Sequence, residues 1–295
     1  MKKQELFVTT GNIRLWTESF GNSSRPHILL IMGLATPGIF WSDAFCERLA
    51  NEGYFVIRYD NRDVGLSSAI NYEQEPYTIE DCAKDALAIL DAYHLSKAII
   101  VGESMGGMIT QWLAAYYPSR VMCAVMIGSS PDFGVSFSKE DNPSLSLTSE
   151  KYTDWLLQLQ GKKPRQIKND IENGVEGWRI CNGDELPFDT ALFTVLVAEA
   201  FQRNPRISTL NNHLAAIRAS YKDTTQALGK ISCPTLVIHG GIDPIFPPDH
   251  GQALAKTIPN ATLKLHPKMG HFFSPSFYGE IIHNIDSFIK AQGNS

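Results

Sequence analysis

The chain has 295 residues, of which 43% are hydrophobic and 19% charged, with a formal net charge of −5 and a pI of about 5.9. A chain of this length can bury a substantial core without disulfides or a structural metal. Because a mildly acidic protein gains little from releasing counterions on phosphate backbones, we expect no nucleic-acid partner.

The five cysteines are odd in number, widely spaced and contain no Cys-x-x-Cys pair. This pattern indicates neither a disulfide framework nor a zinc site. The charged N-terminus has no apolar stretch behind it, and the longest apolar run, at about residues 28–40, is too short to cross a bilayer. We therefore expect a cytoplasmic protein with no membrane span.

The first half of the chain predicts strands that alternate with helices. Strands over residues 5–10 and 13–20 flank the turn residues Gly11-Asn12, which is a hairpin signal. The apolar run over residues 27–32 fits a strand that is buried on both faces. The following predicted elements are a helix at 41–51, a strand at 54–59, a helix capped by Thr78, a strand at 97–102, a helix at 105–117 and a strand at 121–127. This order is typical of an α/β protein with a mostly parallel sheet and helices on both faces.

The pattern changes between Pro131 and about Asp223, where no convincing strand occurs. The predicted helices of this stretch cover residues 151–159, 189–202 and 207–221. The alternation then resumes with a strand at 234–240, a helix near 250–256, a strand at 261–266 and a final helix at 278–291. We predict a core formed by residues 1–130 and 224–295, with residues 131–223 inserted after the sixth strand as a helical cap or lid. The cap is expected over the carboxyl edge of the sheet, where such folds bind ligands.

The sequence Gly102-Glu103-Ser104-Met105-Gly106 lies between a predicted buried strand and a predicted helix. A sharp turn at this place pushes the serine hydroxyl out of the sheet, and the residues two before and two after the serine must be small. The helix N-terminus behind Ser104 also stabilises a developing negative charge. A glycine-rich turn that merely contains a serine is the alternative interpretation. We expect Glu103 to be a structural neighbour that points away from Ser104.

A serine nucleophile needs a base within hydrogen-bond reach. Among the eight histidines, His271 lies in the loop after the last predicted strand, where side chains reach the carboxyl edge of the sheet. His266, at the end of that strand, is the competitor, and His239 is interpreted as a core histidine or one that supports the site. The remaining histidines are interpreted as structural or surface residues: His27, His94, His213, His250 and His283.

A carboxylate is expected to fix the tautomer of the histidine and to stabilise its charged form. Asp243 follows a predicted buried strand directly, and Asp132, after the preceding core strand, remains the alternative. The order serine, aspartate, histidine along the chain favours Ser104, Asp243 and His271 as a catalytic triad.

Two backbone N–H groups usually receive the oxyanion of a tetrahedral intermediate. The amide of Met105, directly after the nucleophile, is the first candidate donor. The loop after the third strand supplies the second, because Gly33 lets the backbone turn and leaves the amide of Leu34 as the donor. A simple strand-to-helix connection is the alternative for this loop.

With these residues in hand, the chain resembles the α/β-hydrolase superfamily over nearly its whole length, and it is most similar to the aclacinomycin methylesterase-like serine esterases. The resemblance is carried by Ile31-Met32-Gly33 with Trp41 downstream, by residues 56–67, by Gly102-Glu103-Ser104-Met105-Gly106, by residues 239–243 and by Gly270-His271. It implies an α/β-hydrolase fold, with Ser104, Asp243 and His271 at the triad positions and Leu34 and Met105 at the oxyanion positions.

The resemblance also implies roles for two neighbouring segments. Within residues 60–67, Arg62 and Asp63 are expected to brace neighbouring loops and to take no part in the reaction. Many relatives carry His-Gly where this chain has Met32-Gly33. A backbone donor does not need that histidine, so hydrolysis survives the change, whereas polar substrate contacts near it are in doubt.

These residues together predict a serine hydrolase that cleaves a carboxylic ester of a small to medium, partly hydrophobic molecule through an acyl-enzyme. No metal or organic cofactor is expected. The alternatives are the same triad acting on a carbon–carbon bond, a lactone, an amide or N-terminal peptide bond, or in perhydrolysis, and a ligand-binding protein with negligible turnover. Apolar residues of the predicted cap fit a substrate pocket and a packed cap core equally well: Trp155, Phe188, Phe193, Leu196 and Phe201. The oligomeric state is left open, and a homodimer is compatible with the sequence.

Overall fold

A computed structural model describes residues 3–132, 145–160, 167–204 and 208–293. Within these residues, eight strands form one sheet with the order β1-β2-β4-β3-β5-β6-β7-β8. The strands are β1 Lys3–Thr10, β2 Ile13–Phe20, β3 His27–Ile31, β4 Phe55–Tyr59, β5 Ala98–Glu103, β6 Val121–Ile127, β7 Thr235–Gly240 and β8 Thr262–His266. Only β2 runs antiparallel to its neighbours β1 and β4, and every other pair within the described sheet is parallel. The predicted, mostly parallel sheet is therefore confirmed.

Helices cover both faces of this sheet. In the described ranges they are α1 Asp43–Asn51, α2 Ile79–Ala92, α3 Met105–Tyr116, α4 Glu150–Gln160, α5 Ile167–Asn182, α6 Thr190–Arg203, α7 Ser208–Ala227, α8 Pro248–Thr257 and α9 Tyr278–Gln292. Side chains of β3 alternate between two core layers, since Ile28 and Leu30 pack with α1 and α9, whereas Leu29 and Ile31 pack with α2 and α3. Among these helices, none combines the length and the apolar character that spanning a bilayer demands.

Local sequence signals set several element boundaries as expected. The β1–β2 hairpin pairs Thr10 with Ile13, and Gly11 between them has a φ of 55°, which glycine adopts without strain. Thr78 and Asp81 form a capping box at the start of α2. The first helix begins two residues later than predicted, because Ser42 accepts a hydrogen bond from the Phe45 amide at 3.2 Å and caps the helix there.

Four helices, α4 to α7, lie between β6 and β7, where the helical insertion was predicted. Helix α5 was not predicted, because Gly174 and Gly177 weaken the helical signal of its sequence. Both glycines are required by packing: a β-carbon at Gly174 would lie 2.8 Å from Val197 Cγ1, and one at Gly177 would overlap the Trp155 ring. Parts of the predicted cap, residues 133–144, 161–166 and 205–207, lie outside the described residues, and they include the first residue of the helix predicted at 207–221.

A buried ion pair fastens the end of α6 to the sheet. Arg203 Nη2 donates to Asp60 Oδ2 at 2.9 Å, and the guanidinium lies 4.1 Å from the centre of the Trp16 ring. Asp60 is fully buried and also accepts hydrogen bonds from the amides of Gly38, at 2.7 Å, and Leu66, at 2.8 Å. Burial raises the pKa of Asp60, and the nearby Arg203 charge acts in the opposite direction. This pair therefore ties the insertion to the loops that follow β3 and β4.

The Arg203→Met variant is expected to lower the free energy of unfolding at pH 7 by about 3–5 kcal/mol, because Asp60 is left as an uncompensated buried charge. The loss should shrink as the pH falls, because protonation of Asp60, whose pKa burial raises, removes that charge. Urea unfolding at several pH values measures both effects. The control is Lys151→Met, which removes an ion pair to Asp184 whose two side chains are 57% and 83% exposed. A control loss beyond about 1 kcal/mol, or equal losses in the two variants, would contradict the prediction.

Candidate active site

Ser104 occupies the tight turn between β5 and α3. Its φ of 53° and ψ of −117° lie in the left-handed half of conformational space, which costs a residue other than glycine about 1–3 kcal/mol. The two flanking glycines permit the turn, because a β-carbon at Gly102 would overlap the Gly106 backbone and one at Gly106 would overlap the Ile31 carbonyl. Main-chain contacts therefore explain why the motif needs small residues at these two positions.

A continuous chain of hydrogen bonds leads from this serine to a buried carboxylate. Ser104 Oγ lies 3.0 Å from His271 Nε2, and His271 Nδ1 lies 2.8 Å from Asp243 Oδ2. The other oxygen of Asp243 accepts from the amides of Ile245, at 2.8 Å, and Phe246, at 2.9 Å. With a proton on Nδ1 donated to Asp243, the imidazole keeps a lone pair on Nε2 that faces the serine hydroxyl.

The protonation of His271 reflects two opposing effects. Burial of the ring lowers the pKa of His271, but the charge of Asp243 and the hydrogen bond to it, together with Glu103, outweigh burial and raise the pKa above the ordinary value of 6.5. The imidazolium form is therefore stabilised in place. A proton taken up from Ser104 would be held where a leaving group can receive it.

The favoured residues occupy both ring nitrogens of His271, and the competing histidines have other hydrogen-bond partners. Both ring nitrogens of His271 are engaged by Ser104 and Asp243, and the amide of Asp132 donates to Ser130 Oγ at 3.0 Å. The His266 ring contacts two residues of α9, Glu280 and Asn284, both at 2.9 Å. His239 is a buried core residue whose Nε2 is 2.8 Å from the Phe246 carbonyl and 3.6 Å from Asp243 Oδ2.

Glu103 does not point away from the site, so that expectation was wrong. Its Oε1 lies 3.5 Å from His271 Nε2, and it accepts a hydrogen bond from the amide of Gly33. The long side chain bends into space that a glycine leaves open, since a β-carbon at Gly33 would lie 2.5 Å from Glu103 Oε2. Burial raises the pKa of Glu103 to about 8. At neutral pH the carboxyl is therefore mostly protonated, and His271 does not face two full negative charges.

The two amides proposed as oxyanion donors lie on either side of the serine. Met105 is the first residue of α3, and Gly33, which precedes Leu34, is so near that its β-carbon would lie 3.0 Å from Ser104 Cβ. Within the described residues, neither the Leu34 nor the Met105 amide donates a hydrogen bond to another group. Both N–H groups therefore retain their full capacity to receive a ligand oxygen next to Ser104.

Two residues of the insertion that the sequence analysis did not single out lie against this site. The carbonyl of Cys181, near the end of α5, accepts the His271 amide at 2.8 Å. Tyr152 of α4 is close to both carboxyl groups, and its pKa is raised well above 10.0, first by burial and further by Cys181, Asp243 and Glu103. Ser104, Asp243 and His271 are at most 6% exposed. Helix α5 thus contacts the loop that carries His271.

The apolar residues of the insertion mostly pack against one another and the sheet. Phe188 stacks on Phe193 with ring centres 4.6 Å apart, and Phe193 is almost fully buried. Trp178, which the sequence analysis did not list, packs on Phe272 beside the base at 4.9 Å and on Phe40 at 4.6 Å. Trp155 donates to the Asn173 carbonyl inside the insertion, while Leu196 and Phe201 pack towards the core layer that contains Phe193. Phe193 and Leu196 are buried core residues, whereas Trp155, Phe188 and Phe201 are half-buried.

Comparison with known proteins gives a consistent set of likenesses. The family model described as the α/β-hydrolase fold matches residues 26–276. Rhodomycin D methylesterase from Streptomyces peucetius is 32% identical over 282 residues, which cover 90% of this chain and 91% of that protein. The 3-oxoadipate enol-lactonase 2 of Acinetobacter baylyi is 24% identical over 88% of this chain and 86% of its own length. The solved structure of an esterase from Exiguobacterium antarcticum superposes with a TM-score of 0.75 at 21% identity, covering 97% of this chain and 100% of that one.

The Glu103→Gln variant is expected to gain stability over the wild type as the pH rises from about 5 to about 8. The unfolded chain ionises this residue near the ordinary pKa of 4.5, whereas the folded protein retains the proton up to about pH 8. The folded state then binds one proton more than the unfolded state, so the wild type loses stability as the pH rises through this interval, and glutamine abolishes the effect. Melting temperatures of both proteins across this range measure it, and a difference that does not change with pH would contradict it.

Proposed function

The chain belongs to the α/β-hydrolase fold family, and from this premise we propose that it is a serine esterase that hydrolyses a carboxylic ester through an acyl-enzyme on Ser104. The observation that carries the proposal is the chain of hydrogen bonds that joins Ser104 Oγ, the His271 ring and Asp243. A serine hydroxyl is a weak nucleophile alone, and this geometry supplies the base and its orienting carboxylate.

In the first half of the reaction, Ser104 Oγ attacks the ester carbonyl carbon while His271 Nε2 takes the hydroxyl proton. Asp243 holds the imidazolium, and the amides of Leu34 and Met105 receive the negative charge that develops on the carbonyl oxygen. The tetrahedral intermediate then collapses, the carbon–oxygen bond to the leaving group breaks, and His271 returns the proton to the departing alkoxide. The products of this half are a free alcohol and an acyl group on Ser104.

In the second half, a water molecule attacks the acyl carbon and His271 Nε2 takes one of its protons. The second tetrahedral intermediate uses the same two amides. Its collapse breaks the bond to Ser104 Oγ, which recovers the proton from His271, and the carboxylic acid leaves. The sum is one ester and one water converted to one acid and one alcohol, and the residues named here account for every proton transfer.

The substrate class is supported by the relatives. A methylesterase at 32% identity over nearly the whole chain supports a methyl ester, for which the leaving alcohol is methanol. Lactone opening is the second candidate function, since an enol-lactonase is also among the similar proteins and a lactone is a cyclic ester that needs the same steps. We also propose that residues 131–223 act as a cap. The three reacting residues are nearly buried, so a substrate enters only if covering residues of α4 and α5 move.

A cytoplasmic location is retained as part of the proposal. All five cysteines lie in described parts of the chain and are free thiols, four of them buried. Proteins of oxidising compartments commonly pair their cysteines, whereas a reducing compartment leaves them unpaired.

We expect Ser104→Ala and His271→Ala each to lower kcat by about four to six orders of magnitude, because each removes an essential part of the nucleophile and base. His266→Ala is the matched control, a histidine from the same region whose partners are on α9, and it should keep wild-type rates. The substrate panel comprises p-nitrophenyl esters of short to medium chain length, methyl esters, lactones and aminoacyl amides. Loss of activity in His266→Ala, or failure of a fluorophosphonate to label Ser104 in the wild type, would contradict the proposal.

We expect the acidic limb of the kcat/KM profile to lie above pH 6.5, because His271 must be neutral to accept the serine proton and its pKa is raised above that value. Because Glu103 keeps its proton up to about pH 8, Glu103→Gln removes no full negative charge over this limb, and the limb should stay in place. Values of kcat/KM measured from about pH 5 to pH 9 locate the acidic limb of the wild type and that of Glu103→Gln. A limb that moves to lower pH in Glu103→Gln would contradict this expectation, because it would show that Glu103 is ionised beside His271 below pH 8.

A further inference from the structure

His213, one of the histidines that the sequence analysis interpreted as structural or surface residues, joins the insertion to a loop of the site. It lies on α7 and is fully buried. Its Nδ1 accepts a hydrogen bond from the amide of Ala35 at 3.1 Å, and its Nε2 lies 2.9 Å from the Arg62 carbonyl. A carbonyl can only accept, so the proton is on Nε2 and Nδ1 presents its lone pair to Ala35. Burial lowers the pKa of His213, which favours this neutral form.

Ala35 is the strained residue of a tight turn over residues 33–36. The Thr36 amide donates to the Gly33 carbonyl at 3.4 Å, and Ala35, at the third position, has a φ of 53°. Turns of this kind favour glycine at that position, because a β-carbon is disfavoured in the left-handed region. Such a conformation persists only where the surroundings fix it. The bond from His213 supplies a contact of this kind from outside the turn.

Leu34 lies between two backbone amides that are both held. The Gly33 amide donates to Glu103, and the Ala35 amide donates to His213. The Leu34 carbonyl is held as well, since Thr36 Oγ1 donates to it at 3.0 Å. The Leu34 amide is left between them without an acceptor among the described residues. Its direction is therefore set by neighbours on both sides.

We propose that His213 is a positioning residue that holds the 33–36 turn so that the Leu34 amide points at the oxyanion of the reacting ester. The inference rests on the proposed function, because an oxyanion forms only if Ser104 attacks a carbonyl. It adds that this half of the oxyanion site is complete only when α7 is docked on the loops after β3 and β4. Asn212, the residue before His213, docks the same helix by donating to Asp63 Oδ2 at 3.0 Å and to the Ile70 carbonyl at 3.1 Å.

Two substitutions separate the two bonds of the ring. In His213→Asn the amide oxygen can replace Nδ1 as the acceptor for Ala35, whereas in His213→Gln the longer side chain can replace Nε2 as the donor to Arg62 but loses the bond to the turn. We expect His213→Gln to lower kcat by about 10- to 100-fold with KM changed less than about threefold, since a small misplacement of an oxyanion donor acts on the transition state. His213→Asn should stay within about threefold of the wild-type kcat.

The affinity for an oxyanion analogue is a measurement that a general loosening of α7 is not expected to change. An aryl trifluoromethyl ketone adds to Ser104 and carries a negative oxygen, so its inhibition constant should rise in His213→Gln by the same factor as kcat/KM falls. The control is Ser220→Ala, which removes another bond of α7 to the core, from the Ile79 amide at 2.8 Å, without touching the turn. It should lower the melting temperature and leave kcat and the ketone affinity unchanged.

Equal losses in His213→Gln and His213→Asn, or a matching loss in Ser220→Ala, would overturn the proposal, because they would indicate loosening of α7 and not a specific bond. If His213→Gln does not fold, a folded His213→Asn decides: retained ketone affinity supports the proposal and lost affinity overturns it. The proposed function fails separately, when a fluorophosphonate does not label wild-type Ser104. An active, labelled wild type with an unaltered His213→Gln refutes the positioning role alone.

Discussion

The close approach of three backbone segments at Ser104 is the constraint on which the site depends. Gly102 and Gly106 bring β5, the start of α3 and the Ile31 carbonyl of β3 into contact that no side chain would allow. The unfavourable conformation of Ser104 is held there by its amide, which donates to the Ile127 carbonyl, and by its carbonyl, which accepts from Gly107 and from Ser129 Oγ. Three strands, β3, β5 and β6, thereby fix one residue. The loops after β3, β7 and β8 then need only modest reach to place Leu34, Asp243 and His271 around it.

Burial and hydrogen bonding act differently on the two carboxyl groups that lie near the His271 ring. Three ionisable side chains, those of Glu103, Asp243 and His271, lie together in a volume that excludes water. The Asp243 carboxylate is stabilised by two backbone amides and the imidazole, whereas Glu103 has only the Gly33 amide and retains its proton to about pH 8. Burial, opposed by only one amide donor and by His271, is what raises the pKa of Glu103.

Sequence reasoning reached the sheet, the order of the elements and the proximity of Ser104, Asp243 and His271. It could do so because the carboxyl ends of parallel strands meet at one edge, and because each of these residues lies at the end of a predicted strand or in the loop that follows it. It missed α5, whose two glycines serve contacts with Trp155 and Val197 that only the folded insertion creates. It also misjudged Glu103, and it could not find the contacts of His213. The direction of the first depends on space beside Gly33, and the role of the second depends on which helix of the insertion meets which loop. Neither is recorded in local spacing or periodicity.

The contact between α5 and the loop of His271 is made by main-chain atoms: the Cys181 carbonyl accepts the His271 amide, and a β-carbon on Gly270 would overlap that carbonyl. A main-chain contact is indifferent to the identity of the side chains that surround it. Substitutions along α5 can thus alter the shape and polarity presented to an incoming molecule without moving the imidazole. If the insertion caps the site as proposed, substrate range and catalytic machinery are free to change at separate rates along α5, whereas α7 is constrained by its bond to the 33–36 turn.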